Sequence, residues 1–264
     1  MDMGLNNKTA LITGSTKGIG KAIAIELAKE GVNVLINGRN YDEVERTVSE
    51  IKLKFPDTTP QNAAADIVDA KQREAIFEKY PQIDILVNSM GKYEIMKYED
   101  VDDEVWESYF RTNVLAANHL SKFYLPKMLK NNFGRIIFIA SEEAIMPSGQ
   151  MPQYCMTKSM LLSLSKSLSK LTKGTEVTVN TIMPGPTLSE NVHQIIDGIY
   201  ADENMTFSEK EQKFMAANLP QSELQRFIKP SEIGRLTTFV CSPYASAFKG
   251  SPIRMDGGMV PTIF

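Results

Sequence analysis

The sequence is poor in the residues that build metal centres, disulfide frameworks and nucleic-acid interfaces. Only two cysteines and two histidines occur among its 264 residues, at Cys155, Cys241, His119 and His193, and they lie far apart without the spacing of metal ligands. We therefore predict neither a metal site nor a disulfide. The formal net charge is -3, so the excess of cations that neutralises nucleic-acid phosphates is missing, and we expect no nucleic-acid partner.

Long apolar runs are missing as well. Stretches such as Ile136 to Ala140 are far shorter than the roughly 20 residues that cross a bilayer. The N-terminal Met-Asp-Met-Gly also lacks a charged-then-apolar signal segment. We expect no membrane insertion, a cytoplasmic location and a single globular domain over residues 1–264.

Short apolar runs rich in β-branched residues alternate with amphipathic segments along the chain. The candidate strands are Thr9–Ile12, Val32–Ile36, Gln61–Ala65 (the weakest), Ile83–Asn88, Arg135–Ala140, Val177–Met183 and Ser251–Met255. The candidate helices are Ile19–Glu30, Asn40–Lys54, Ala70–Lys79, Val101–Lys130, Pro152–Lys173 and a last one near Ile233–Val240. Strands that are apolar on both faces are typical of a covered parallel sheet. The pattern predicts an α/β fold, a Rossmann-type doubly wound parallel sheet of about seven strands flanked by helices.

One segment, residues 188–229, departs from this alternation. It is charged, dotted with Met and Phe, and helical in periodicity, with no candidate strand. Because it follows the C-terminal end of a strand, we predict a helical substrate lid over a site near Pro184 and Gly185. A surface helical insertion without a role at the site is the alternative.

A glycine cluster follows the first candidate strand and opens the first candidate helix. It reads Thr13-Gly14-Ser15-Thr16-Lys17-Gly18-Ile19-Gly20. Glycine lets bare backbone approach a ligand, and a helix N-terminus offers unpaired N–H groups and a positive dipole end. Residues 14–20 are therefore predicted to bind the pyrophosphate of a dinucleotide.

The end of the second strand indicates which dinucleotide is bound. NAD sites usually carry an acidic residue there, whereas this chain reads Asn37-Gly38-Arg39. An arginine favours a 2′-phosphate through charge-assisted hydrogen bonds. The helix dipole disfavours the cation of Lys17 beside a helix N-terminus, and a bound anion would remove this unfavourable interaction. We predict NADP(H), with NAD(H) open as the alternative. The competing interpretation is that both are solvated surface cations, with Arg39 paired to Asp42.

Tyr154 and Lys158 are four residues apart in a candidate helix, so they share one face. An ammonium beside a phenol stabilises the phenolate and lowers its pKa from about 10. Such pairs are common on solvent-facing helices, so the context decides. Ser141 directly follows a candidate strand, at the edge where α/β sheets bind ligands, and its hydroxyl suits a substrate oxygen.

The order and spacing of these motifs resemble the short-chain dehydrogenases/reductases over nearly the whole chain. The motifs are Thr13-Gly14 with Gly18-Ile19-Gly20, Asn88-Ser89-Met90-Gly91, Ser141, Tyr154 with Lys158, Pro184-Gly185, and Asp256-Gly257-Gly258. The resemblance implies an oxidoreductase that transfers a hydride between NADP(H) and a carbonyl or secondary alcohol. Ser89 and Met90 depart from the family's more common Asn and Ala.

Residue roles follow from the resemblance. Tyr154 would be the general acid in reduction and the general base in oxidation, while Lys158 would lower its pKa and hold the nicotinamide ribose. Ser141 would bind the substrate oxygen, and Asn113 would anchor a water that relays protons. The other implied cofactor contacts are Asp66 and Ile67 near the adenine, Asn88, Ser89, Met90 and Gly91 along the cofactor, Pro184 and Gly185, and Thr187 at the carboxamide.

The expected substrate is a medium-sized, largely apolar carbonyl compound. Its predicted lining is Met90, Ile145, Met146, Pro147, Met151 and Met183. Glu142 and Glu143 must face solvent, find a partner or bind a polar substrate group.

Other functions stay open. One is a non-catalytic dinucleotide sensor or scaffold, and others are an NAD(H)-dependent dehydrogenase or a 3-oxoacyl-carrier-protein reductase. The last is disfavoured because Asn131-Asn132 and Gly174-Thr175-Glu176 lack the basic residues that meet an acidic carrier. The resemblance also implies a homotetramer.

Overall fold

The chain folds into a parallel sheet that carries helices on both faces. The computed structural model describes residues 2–201 and 203–263. The strands are β1 (Thr9–Ile12), β2 (Asn33–Ile36), β3 (Gln61–Asn62), β4 (Ile85–Asn88), β5 (Gly134–Ile139), β6 (Val177–Pro184) and β7 (Pro252–Met255). They form a seven-stranded sheet in the order β3-β2-β1-β4-β5-β6-β7, with every neighbouring pair parallel. The predicted single-domain, doubly wound Rossmann-type fold is confirmed.

The helices connect these strands. They are α1 (Gly18–Lys29), α2 (Tyr41–Lys54), α3 (Ala70–Lys79), α4 (Asp103–Tyr109), α5 (Ala116–Lys130), α6 (Pro152–Lys170), α7 (Glu190–Ile199), α8 (Phe207–Asn218) and α9 (Pro230–Cys241). Gly31 and Gly174 have positive φ angles of 78° and 77° in the turns that follow α1 and α6. Within the described ranges, no helix is long and apolar enough to cross a bilayer.

The central strands are buried on both faces, which explains their continuous apolar character. In β5, Ile137 and Ile139 pack in the layer formed with α1, α2 and α9. Ile136 and Phe138 point the other way, into the layer formed with α3, α5 and α6. Because side chains alternate along a strand, the short apolar sequence of β5 contributes to an apolar core on each face of the sheet.

The third strand is shorter than the predicted Gln61–Ala65, because a side chain replaces part of its pairing. The Asn37 amide donates to the carbonyl oxygens of Ala63 (2.8 Å) and Ala65 (3.2 Å). The backbone N–H groups of these alanines still donate to the β2 side, to Ile36 and Gly38. The segment therefore follows β2 without forming a regular ladder beyond Asn62.

The long helix predicted at Val101–Lys130 is interrupted. It begins at Asp103, where Asp102 accepts a hydrogen bond from the Val105 N–H at 2.8 Å. A π-helical turn at residues 110–115 then separates α4 from α5. Such turns occur often at functional sites, and this one contains Asn113.

Residues 188–229 form a small helical unit with its own apolar cluster. Ile196 of α7, Met215 of α8 and Phe227 are buried together. The two ends of the unit are joined, because the Leu188 N–H donates to Ile228 O (2.9 Å) and the Ile228 N–H donates to Pro186 O (2.8 Å). The unit thus leaves and re-enters the domain at one point beside the C-terminal end of β6.

We expect Ile137→Ala to lower the free energy of unfolding by about 2–5 kcal/mol, because the fully buried side chain would leave a cavity in the sheet. Leu53→Ala, at a side chain that is 85% exposed, is the matched control. Urea unfolding followed by circular dichroism measures both. Equal midpoints for the two variants would contradict the assignment of this core.

Candidate active site

The glycine cluster forms a tight loop between β1 and α1. Gly14 and Gly18 have φ angles of 63° and 56°, a region that side chains disfavour. A Cβ atom on Gly20 would overlap the Gly14 carbonyl. The loop therefore requires glycine at these positions, and it leaves bare backbone at the start of α1.

Hydrogen bonds fix this loop to the ends of β2 and β4. The Ser15 N–H donates to Asn37 O at 2.8 Å, and Ser15 Oγ accepts from the Asn37 N–H at 3.0 Å. The Thr13 hydroxyl oxygen accepts from the N–H groups of Ser89 and Met90, both at 3.0 Å. Three segments predicted to bind the cofactor thus meet at the carboxyl edge of the sheet.

The predicted adenine and nicotinamide contacts flank the same edge. Ile67, Asn88 and Met90 line one narrow cleft with Thr13. On the far side, the Thr187 hydroxyl donates to Gly185 O at 2.8 Å. A Cβ atom on Gly185 would lie 2.6 Å from Asp256 O, so glycine is required where β6 passes the loop after β7.

Asp66 lies half-buried after β3, where its carboxylate shapes the turn into α3. Its Oδ1 accepts from the Val68 N–H at 2.9 Å. This places Asp66 directly beside Ile67 at the edge of the cleft.

Two cations border the glycine loop without an acidic partner. Lys17 and Arg39 are exposed, and among the described residues neither forms an ion pair, so the anticipated pairing of Arg39 with Asp42 is absent. A Cβ atom on Gly38 would lie 2.8 Å from Thr16 Cγ2, which shows how closely the turn before Arg39 packs on the loop.

A carboxylate from the helical unit contacts the loop at the expected phosphate position. The Gly18 N–H donates to Glu190 Oε2 at 3.1 Å, and Glu190 is the first residue of α7. An anion at a helix N-terminus is favourable, so Glu190 here acts as a stand-in for a phosphate oxygen. Sequence patterns gave no sign of this contact, because the two residues are 172 positions apart.

Tyr154, Lys158 and Asn113 meet at the same edge. Lys158 is buried, and its Nζ lies 5.4 Å from the centre of the Tyr154 ring. A Cβ atom on Gly91 would lie 3.5 Å from both Lys158 Nζ and Asn113 Oδ1. A side chain at position 91 would therefore contact these polar atoms.

The π-helical turn holds Asn113 through three hydrogen bonds. Its Oδ1 accepts from the Lys92 N–H at 2.9 Å, and its Nδ2 donates to Lys92 O at 3.1 Å and to Thr157 Oγ1 at 3.0 Å. The side chain therefore connects the segment after β4 to α6. Lys92 and Thr157 were not identified from the sequence. Lys92 contributes only its backbone groups, and Thr157 is a residue between Tyr154 and Lys158 that belongs to no recognised motif.

The protonation of Tyr154 differs from the sequence-based expectation. Burial raises the pKa of the Tyr154 phenol, a hydrogen bond with Ser141 opposes this rise, and the charge of Glu142 adds to it. The net shift is upward, not the lowering predicted from Lys158, whose ammonium donates to Ile139 O at 2.8 Å. Burial lowers the pKa of Lys158 itself to about 8.

Ser141 has a partner that sequence analysis left without a role. Its hydroxyl donates to Glu142 Oε2 at 2.7 Å, and its oxygen accepts from the Glu143 N–H at 3.2 Å. Glu142 is only 7% exposed, and burial raises its pKa to about 7.

Glu143 has separate partners. Its Oε2 accepts from the Ser148 N–H at 2.8 Å and from Cys155 Sγ at 3.0 Å. Burial, with the Glu143 carboxylate, raises the pKa of the Cys155 thiol to about 12, so this cysteine is a poor nucleophile near neutral pH.

This arrangement defines an α/β protein built to bind a dinucleotide beside a polar cluster at the carboxyl edge of its sheet. A family model described as short chain dehydrogenase matches residues 8–199. The chain is 46% identical over 264 residues to the uncharacterized oxidoreductase YvaG of Bacillus subtilis (strain 168), covering 100% of both proteins. It is 31% identical over 261 residues to the D-beta-hydroxybutyrate dehydrogenase of Cupriavidus necator, covering 97% of this chain and 99% of that one.

A solved structure agrees with these relatives. L-sorbose reductase from Gluconobacter frateurii, complexed with NADPH and L-sorbose, matches with a TM-score of 0.92 at 31% identity, covering 100% of each chain. The protein therefore belongs to the short-chain dehydrogenase family and is an oxidoreductase.

We expect Glu190→Gln to bind NADPH roughly five-fold more tightly, a gain of about 1 kcal/mol, because a phosphate no longer competes with a carboxylate for the Gly18 N–H. Glu78→Gln removes the same charge from the exposed surface of α3 and serves as the control. Fluorescence titration with NADPH measures both. Unchanged or weaker binding by Glu190→Gln would contradict competition at this position.

Proposed function

We propose that the protein is an NADP(H)-dependent reductase of ketones, working in reverse as an alcohol dehydrogenase, with Tyr154 as the general acid/base. The observation that carries this proposal is that Tyr154 lies close to both Ser141 and Lys158, with Lys158 Nζ beside Gly91 in the segment after β4. A protein that only bound a dinucleotide would not need a half-buried phenol near a buried hydroxyl and a buried ammonium.

The loop residues fit an NADP(H) cofactor. The Gly18 N–H already holds an anionic oxygen, and the close packing at Gly20 leaves no side chain in the way of a pyrophosphate. Lys17 and Arg39 offer unpaired positive charge beside it, and a planar guanidinium suits a 2′-phosphate. When bound, NADPH supplies the hydride that reduces the carbonyl carbon.

The protein's own residues handle the proton. Because burial raises its pKa, Tyr154 keeps the phenol proton at neutral pH and can donate it to the substrate oxygen as negative charge develops there. The Ser141 hydroxyl offers a second hydrogen bond to that oxygen. Lys158, protonated for the most part at pH 7, contributes a fixed positive charge close to the ring of Tyr154.

The surroundings support a medium-sized substrate with an apolar portion. Ile145 is 41% exposed, and Met146 and Met151 are half-buried between Ser141 and α6. Residues 188–229 are proposed as the lid over this surface, since both ends of the unit emerge beside β6 and Glu190 touches the cofactor loop. Closure of such a unit would exclude water from the reacting atoms.

We expect Tyr154→Phe to lower kcat for NADPH-dependent ketone reduction by about 10²–10⁴-fold, because the variant keeps the ring but loses the donated proton. Tyr244→Phe, at a ring that is 64% exposed, should retain activity. NADPH oxidation is followed by absorbance with L-sorbose, 2,3-butanedione and acetoacetate as substrates. A Tyr154→Phe enzyme as fast as wild type would remove the assigned acid.

The cofactor assignment has a separate test in Arg39→Asp. Loss of charge-assisted bonds worth about 1.5–3 kcal/mol should weaken NADPH binding roughly 10–150-fold, while NADH binding holds or improves. Arg235→Asp, an exposed cation on α9, is the control. The 2′-phosphate assignment is defeated if the ratio of NADPH to NADH affinity is the same in wild type and Arg39→Asp, as measured by isothermal titration calorimetry.

A further inference from the structure

The Ser141 hydroxyl has a single proton, and in this structure that proton is given to Glu142. The donor distance of 2.7 Å is short, as expected when the acceptor is a carboxylate. The Glu143 N–H, at 3.2 Å, takes one of the two acceptor positions of Ser141 Oγ. In this state Ser141 can receive a hydrogen bond, but it has no proton left for a substrate carbonyl oxygen.

Protonation of Glu142 reverses the direction of this hydrogen bond. A neutral carboxylic acid carries an O–H that can donate to Ser141 Oγ. The Ser141 proton is then free to turn toward the substrate, where the developing oxyanion requires a donor. The same two side chains thus have two hydrogen-bond arrangements that differ by one proton on Glu142.

We propose that Glu142 is a positioning residue whose carboxyl group sets the direction of the Ser141 hydroxyl, so that carbonyl reduction proceeds through the form in which Glu142 is protonated. This inference rests on the proposed function, because it assigns a state of the same site. It goes beyond the Ser-Tyr-Lys roles, since Glu142 acts only through Ser141.

The environment allows both states near neutral pH. Both side chains are buried, at 6% exposure for Ser141 and 7% for Glu142, and burial disfavours the carboxylate. The Ser141 hydrogen bond lowers the pKa of Glu142, whereas the charges of Glu143 and Asp256 raise it. The balance is a pKa of about 7.

Titratable groups from β7 and α6 also surround Ser141 and Glu142. Arg254 of β7 lies 3.2 Å from the Asp256 carboxylate and partly neutralises it. From α6, Tyr154 faces Glu142, whose charge raises the pKa of the phenol, while Lys158 directs its ammonium to Ile139 O. When Glu142 ionises, its carboxylate therefore accepts the hydrogen bond of the Ser141 hydroxyl. The same charge raises the pKa of Tyr154.

The sign of the pH dependence follows. Below the pKa of Glu142 the acid donates to Ser141, and reduction is fast. As the pH rises through about 7, Glu142 ionises, Ser141 loses its free proton, and kcat/KM for reduction falls about ten-fold per pH unit. Glu142→Gln carries an amide that donates at every pH, so its profile should lack the limb near pH 7 and begin to fall only as Lys158 loses its proton near pH 8.

The kinetic test compares wild type, Glu142→Gln and Glu143→Gln with NADPH and 2,3-butanedione between about pH 6 and about pH 8. We expect a falling limb in wild type, none near pH 7 in Glu142→Gln, and a limb moved to lower pH in Glu143→Gln, because a charge that raises the Glu142 pKa has been removed. A Glu142→Gln profile that falls together with wild type would overturn the proposal. So would a Glu143→Gln limb moved to higher pH.

A second measurement needs no turnover and separates this inference from the proposed function. Infrared difference spectra record the carboxylic-acid C=O band of Glu142, identified by its loss in Glu142→Gln. We expect its titration midpoint to rise in Ser141→Ala, because the hydrogen bond that stabilises the carboxylate is gone. An unmoved midpoint would overturn the coupling of the two residues, whereas absence of NADPH oxidation with every ketone would instead defeat the proposed function.

Discussion

The site depends on the requirement that polar groups buried at the carboxyl edge of a parallel sheet be hydrogen-bonded. Lys158 and Ser141 are buried there, and each has a specific partner within the fold: Lys158 has Ile139 O, and Ser141 has Glu142. These contacts fix the positions of the groups before any ligand binds. In both contacts the buried group is the hydrogen-bond donor, and a ligand could accept from the same donor.

The same requirement links the cofactor loop to the rest of the sheet. Ser15 and Thr13 use their side chains to bind the ends of β2 and β4, so the glycine loop is held by the strands that border the dinucleotide site. The loop also contacts the helical unit, because the Gly18 N–H donates a hydrogen bond to the Glu190 carboxylate. One donor group therefore joins the predicted phosphate position to the helical unit.

The parallel sheet of about seven strands was predictable from the sequence because its central strands are short runs buried on both faces, as β5 shows with Ile136 and Ile137. The position of Ser141 and the common face of Tyr154 and Lys158 also follow from local pattern. The π-helical turn at Asn113 could not be predicted, because hydrophobic periodicity does not register a single widened turn. Strand β3 was predicted, but its end at Asn62 rather than Ala65 was not, because the Asn37 amide takes over pairing that backbone would otherwise provide.

Long-range contacts and protonation were beyond local reasoning. The contact of Glu190 with Gly18 depends on how the helical unit folds back. The sequence shows Ser141 next to Glu142, but burial of both is what gives the pair two proton arrangements. Likewise, the four-residue spacing of Tyr154 and Lys158 does not reveal that Lys158 is bonded to Ile139 O.

This cluster of groups is proposed to promote direct hydride transfer between NADPH and a carbonyl carbon. The most direct measurement uses NADPH deuterated at C4 of the nicotinamide on the transferred face, with mass spectrometry of the alcohol formed from a ketone. We expect one deuterium on the carbinol carbon of each product molecule. Oxidation of the cofactor with no deuterium in the alcohol would contradict it.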